Sequence, residues 1–166
     1  PLAIIESMHR KKPDAFHKAY IVNGIPIQQH PYFLNNIARN FHSVNSKITP
    51  DKVYFTPRAG FNDVFTHYDV LLSHHWRNAL NYLSFEALYY NIPFIHNSEP
   101  MKATGYFYPD FDIRLGTDAL QKALSLHKLE LKDHEQRNKV FLETISILNK
   151  DVQEKYASMI NDVIFG

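Results

Sequence analysis

Glu86 is a lone carboxylate in an apolar helical run, Ser84-Phe85-Glu86-Ala87-Leu88. A charge placed there must meet a ligand, a cation or a capped backbone, or else lie partly in solvent. The run sits inside a longer stretch, Asp69 to Ser98, that reads as buried strand, helix and second buried strand. In that layout an acid on the helix can hold two neighbouring hydroxyls such as those of a ribose. The second strand then delivers Asn97 and Ser98 to the same edge of the sheet, where open α/β proteins bind ligands.

Other candidates lie beside the same strand ends. Ser73-His74-His75-Trp76-Arg77-Asn78 follows the first of them. Adjacent His residues on extended backbone point in opposite directions, so His74 and His75 make a poor metal pair, and no metal site is expected. One of them could bond a sugar hydroxyl or a phosphate, and Trp76 could be a platform for a sugar or base or simply pack at the loop. Arg58, directly after an earlier strand, offers paired donors to a phosphate. Asn97-Ser98-Glu99-Pro100 with Lys102 could hold a diphosphate on backbone amides and a hydroxyl, without a glycine-rich motif. Gly105 to Asp112 is dense in aromatics and acids, for which a packed strand and turn is the plainer reading. No Ser-His-Asp pattern, P-loop or suggestively spaced acid pair is found.

The elements that must position these groups alternate. Leu2 to Arg10 fits a helix stopped before Pro13, and Ala19 to Asn23 a strand ended by Gly24. Apolar residues at 33, 34, 37, 38 and 41 predict a helix over 31–42. Strands are expected at 52–56, 69–73, 93–96 and 105–108, and helices at 61–67, 81–90 and 118–126. From Leu129 the pattern is helical to the end, with a break near Asn149-Lys150-Asp151. Short, uniformly apolar strands between helices mark a parallel sheet covered on both faces.

Composition sets the outer bounds. A chain of 166 residues is one ordinary domain. It has no Cys, so neither disulfides nor a thiolate zinc site, and the cytoplasm is the default compartment. Lys plus Arg 18 against Asp plus Glu 17 gives a net charge of +1, which makes no case for DNA or an anionic membrane as partner. The basic run His9 to Lys12 reads as a solvated helix end. No apolar run approaches the roughly 20 residues of a membrane span. The opening at Pro1, straight into a helical pattern, suggests part of a longer polypeptide.

A resemblance adds to this reading. The order Leu72-Ser73-His74, Phe85-Glu86-Ala87-Leu88, Asn91-Ile92-Pro93-Phe94-Ile95 and Gly105-Tyr106 to Asp112 resembles the donor-binding, carboxyl-terminal half of GT-B-fold glycosyltransferases. Nearly the whole chain is similar to a glycosyltransferase-like family of bacteria and phages. Its pattern runs S-H-Q-W-E-N-P-L-N-Y, D-A-L, Y-P-L-V-H-N-S and G-Y-Y-Y-P-x-F-D. Ser73, His74, Trp76, Asn78, Asn81, Tyr82, Pro93, His96, Asn97, Ser98, Gly105, Tyr106, Tyr108, Phe111 and Asp112 are among the residues that fit it.

The resemblance implies a Rossmann-like α/β domain over 1–128 that lacks its first strand. The helices of 129–166 would pack on it or on an amino-terminal domain of the same polypeptide. It implies transfer of a hexosyl or pentosyl group from a nucleotide-sugar, the donor substrate, with no resident cofactor or metal; the acceptor would be a glycan, a protein or modified phage DNA. Glu86 would bind the ribose, Arg58 a phosphate, and Asn97 and Ser98 the diphosphate or sugar. The donor surface would also include Ser73, His74, Trp76, Arg77, Asn78, Asn81, Tyr82, His96, Lys102, Gly105 and Tyr106. Two positions depart from the pattern: a Glu of related retaining enzymes falls at Asn78, and the closer family's Glu falls at Arg77. The alternative is a non-catalytic α/β module for nucleotide binding or protein interaction.

Overall fold

The computed structural model describes residues 1–44, 52–76 and 81–165. Helix α1 (Leu2–Lys11) leads to strand β1 (Ala19–Ile21), a short helix α2 (Ile25–Gln28) and irregular helical turns over 33–40. Then follow β2 (Val53–Phe55), α3 (Phe61–His67), β3 (Leu71–Leu72), α4 (Tyr82–Tyr89), β4 (Phe94–His96) and β5 (Tyr106–Phe107). Three helices complete the described chain: α5 (Ile113–Leu126), α6 (Leu131–Ile145) and α7 (Lys150–Phe165). The protein is mixed α/β, with short parallel strands and helices at its carboxyl end.

The strands form two sheets. β1 pairs with β2, and β3, β4 and β5 pair in that order, every pairing parallel. The single open sheet anticipated from the alternation is not seen, because no ladder joins β1 to β3 among the described residues. A cleft of about 500 Å³ lies between them, lined by Ala19 to Val22, by Val70 to Leu72 and by Ile5 and Leu120 from α1 and α5.

Strand alternation shows which helices cover the larger sheet. Successive side chains of a strand point to opposite faces. Ile95 packs with Ile4 and Met8 of α1 and with Ala119, Leu120 and Ala123 of α5. Its neighbour Phe94 packs with Ala87 and Leu88 of α4, against Phe141 and Leu142 of α6. Helices therefore cover both faces of β3-β4-β5, and all three β4 residues are buried. Helix α1 reaches α5 at Gly116, where a Cβ would collide with the Ile4 side chain.

The smaller sheet is tied down differently. Glu6 of α1 is buried, and its carboxylate accepts from His42 N (3.0 Å), Ser43 N (2.9 Å), Ser43 Oγ (2.7 Å) and Arg10 Nε (2.5 Å). Burial alone would raise its pKa, but the bonds from Ser43, His42 and Arg10 outweigh burial and hold it at about 2. Lys52 ammonium donates to the carbonyls of Pro13 and Phe16. The regular helix expected over 31–42 is replaced by a π turn (Phe33–Ile37) and a 3₁₀ turn (Ala38–Asn40). Asn36 and Asn40 side chains donate to the carbonyls four residues back, competing for the helical bonds.

At the opposite edge from the strands' carboxyl ends, a polar cluster joins α4, β5, α5 and α6. His127 Nε2 bonds Asn91 O (2.9 Å) and its Nδ1 bonds Tyr106 OH (3.3 Å). His134 lies 4.9 Å from His127 between ring centroids, and Asn138 donates to Leu88 O and Asn91 Oδ1. Helix α6 thus packs on α4. Helix α7 has no buried residue. The helix expected at 118 begins at Ile113, capped by Asp112, whose carboxylate accepts from Leu115 N at 2.7 Å.

Candidate functional site

The carboxyl ends of β3, β4 and β5 lie side by side because the strands are parallel and in register. Ser73 N donates to Ile95 O and Tyr108 N to His96 O, so the ladder runs on into the loops. Asn97 then joins all three loops. Its Oδ1 accepts from His75 N (2.7 Å), and its Nδ2 donates to His75 O (3.0 Å) and Asp110 O (3.0 Å). Asp110 sits in the left-handed region at φ 50, which Asp tolerates better than most residues. Every polar atom of the Asn97 amide is therefore engaged in building the loops.

His74 lies in the same place. Its Nδ1 is 2.9 Å from Tyr108 OH, and its Nε2 is buried with no hydrogen-bond partner among the described residues. Phe111 lies over the imidazole at 4.6 Å between centroids, and Trp76 packs on Phe111 at 5.0 Å. Both outer rings are open to solvent, Trp76 at 63% and Phe111 at 54% exposure. Burial, with the neighbouring His75 charge adding, pushes the His74 pKa down, and burial pushes Tyr108 up to about 12. Ser73 Oγ bonds His75 Nε2 at 3.1 Å, and burial lowers His75 too.

Glu86 lies on α4, whose first turn is capped by Asn81 Oδ1 accepting from Leu83 N at 3.0 Å. The helix buries Ser84, Ala87 and Leu88 and leaves Tyr82 and Tyr89 exposed. Glu86 falls between those faces, half-buried, and no hydrogen bond or ion pair to its carboxylate is found among the described residues. The amino termini of α4 and α5 both lie at the strands' carboxyl edge, following β3 and β5.

Several residues expected at the site do other work. His96 is completely buried: its Nδ1 accepts from Ser98 N (3.2 Å) and its Nε2 faces Thr104 O (3.1 Å), so both nitrogens are spent holding the 98–104 loop. Burial pushes its pKa down to about 4. Gly105, at φ 52, takes a position where a Cβ would stand 2.5 Å from Phe94 O. The Tyr106 ring points into the His127 and His134 cluster, away from the loops. Lys102 pairs with Glu99 at 3.1 Å on the surface. Arg58 is exposed beyond the end of β2, in the other sheet. Arg77 and Asn78 lie outside the described residues.

The structure therefore brings together Ser73, His74, Trp76, Asn97 and Ser98. With them comes His75, weighed beside His74 in the sequence, and the structure adds Tyr108, Asp110 and Phe111, for which a packed strand and turn was the plainer reading. The signal of these three was the aromatic and acidic density of 105–112. Among the described residues no group of three His, Asp or Glu could hold a metal ion, and no helix is long and apolar enough to cross a membrane.

A family model described as "Protein of unknown function (DUF2827)" matches residues 1–160. The chain belongs to that family. The match spans both sheets, the joined loops and the carboxyl-terminal helices up to residue 160. Neither a curated protein nor a solved structure matches the chain.

Proposed function

We propose that the chain is the donor-binding part of a glycosyltransferase, holding a nucleotide-activated sugar at the carboxyl ends of β3, β4 and β5. In this reading the two sheets are halves of one Rossmann-like sheet in the order β2-β1-β3-β4-β5, the carboxyl-terminal half of a GT-B fold. The observation that carries the proposal is Glu86: a half-buried carboxylate with no partner among the described residues, on the helix that leaves the edge where Asn97 gathers three loops. A half-buried acid of this kind is suited to paired ribose hydroxyls, which can donate to both of its oxygens.

The chemistry is substitution at the anomeric carbon. The bond to the diphosphate oxygen breaks, an acceptor oxygen forms the new glycosidic bond, and negative charge collects on the departing nucleoside diphosphate. Backbone amides at the starts of α4 and α5, the loop after β4 and the Arg58 guanidinium are the groups suited to stabilise that charge.

A melting-shift panel of nucleotide sugars tests the reading, since a ligand that binds only the folded state raises its stability. One nucleotide class should raise the melting temperature, and Glu86→Ala should remove most of the shift. Full retention of the shift in that variant refutes the ribose contact; no shift with any nucleotide refutes the donor site.

A further inference from the structure

We propose that His74, fixed as its Nε2–H tautomer by Tyr108, is a hydrogen-bond donor reserved for a diphosphate oxygen of the ligand; this rests on the nucleotide-sugar reading above. Two hydrogen-bond arrangements fit the 2.9 Å contact between His74 Nδ1 and Tyr108 OH. If the imidazole donated, the Tyr108 hydroxyl proton would be left without an acceptor in a residue only 1% exposed, and the Nε2 lone pair would be left without a donor as well. If the hydroxyl donates to Nδ1, only one group is left over, the Nε2–H. Burial keeps Tyr108 protonated and His74 neutral, which leaves out an imidazolium or a tyrosinate; the count of unmet groups then decides for the second arrangement.

That remaining N–H is buried without an acceptor among the described residues, which is costly in a folded protein and typical of a group whose partner arrives later. It lies at the carboxyl end of β3, beneath the Phe111 ring, and Trp76 packs on Phe111 in turn. Because the Phe111 ring against the imidazole is exposed, a ligand reaches the nitrogen in this proposal by displacing that ring without unfolding the sheet. A neutral donor in such an apolar setting gains most from an anionic acceptor, so a diphosphate oxygen is favoured over a sugar hydroxyl.

The test is calorimetric titration of the chain with inorganic pyrophosphate and with matched nucleosides and nucleoside diphosphates of the five common bases, together with ¹⁵N spectra of the histidines. His74→Ala should weaken diphosphate and pyrophosphate binding about tenfold and leave the matching nucleoside almost unchanged. His74→Gln, which keeps an amide N–H near the Nε2 position, should retain most of the affinity. Tyr108→Phe should turn a single Nε2–H tautomer into a mixture, and in the wild-type chain the Nε2–H resonance should move when pyrophosphate binds.

A His74 spectrum showing the Nδ1–H tautomer overturns the proposal even if no variant folds. Undiminished diphosphate binding by His74→Ala, with Glu86→Ala defective, overturns it and leaves the nucleotide site standing; equal losses for nucleoside and diphosphate point to a hydroxyl or structural role and overturn it too. A wild-type chain that binds no nucleotide ends both readings.

Discussion

The two sheets are secured by opposite kinds of polar group. Around β3-β4-β5 the buried polar side chains are neutral imidazoles, hydroxyls and an amide, among them His96, Thr104, His134 and Asn138, and the half-buried Asn97 joins the loops. Beside β1-β2 the central group is a charged carboxylate, Glu6, gripped by four donors that tie residues 42 and 43 to α1. Neutral pairs lose little when the surroundings stay dry, whereas an ion with several donors is strong while complete and expensive to leave half-made. The half with the joined loops is therefore built for a fixed shape, and the other half depends on one clamp.

Removing the clamp should have the largest effect. Glu6→Ala strands the Ser43 and His42 amides and should cost about 4 kcal/mol, lowering the melting temperature by roughly 10 °C. Limited proteolysis should then cut near residue 43 while 94–108 stays protected; uniform cleavage would show that the halves do not differ.

Acid should strike the halves at different pH. The His96 pKa is about 4 in the folded chain against the usual 6.5, so its contribution is complete above pH 6.5 and lost as pH falls towards 4, on the order of 3 kcal/mol. The lowered His134, pushed down by burial and then by Arg137 and His127, acts in the same direction. Glu6 is held at about 2 against 4.5, so its contribution is complete above pH 4.5 and lost only as pH falls towards 2. Urea midpoints at pH 7.5, 5 and 3 should fall in two stages, and His96→Gln should flatten the first. A single stage near pH 3 would contradict the assignment.

Asn97→Ala should cost less, about 2 kcal/mol, since its bonds are neutral and partly exposed. It should nevertheless abolish the nucleotide-induced melting shift, because the three loops lose their common tie. Smallest in stability is Trp76→Ala, within about 0.5 kcal/mol for so exposed a ring. Its effect should appear only in ligand affinity, and a large loss of stability would mean that Trp76 belongs to the core.

Much of the architecture was legible in the sequence. The uniformly apolar strands at β3 and β4 announced burial on both faces, and the helix expected over 81–90 is α4, with Asn81 as its cap rather than its first turn. The start of α5 was hidden because Gly116 reads as a helix breaker, although it is there to admit α1. The turns over 33–40 carry helical spacing, but spacing does not report asparagine side chains that take over backbone carbonyls. At the site, positions were readable and orientations were not. His96 and Tyr106 stand in a promising motif, yet β4 and β5 turn their rings into packed interiors. Tyr108 is the core residue that the plainer reading expected, yet its hydroxyl also reaches His74, while Phe111 lies exposed against the imidazole. Which face a strand residue takes depends on pairing register, and that is settled only when the strands meet.

The close approach at Gly116 carries a consequence for how the family can drift. Since the space a side chain would need there is already filled by Ile4, the two positions form a compensating pair across 112 residues of sequence. Members that gain Ala at 116 should carry Val or Ala at 4, and a library randomising both positions should return folded chains in which the combined side-chain volume stays nearly constant.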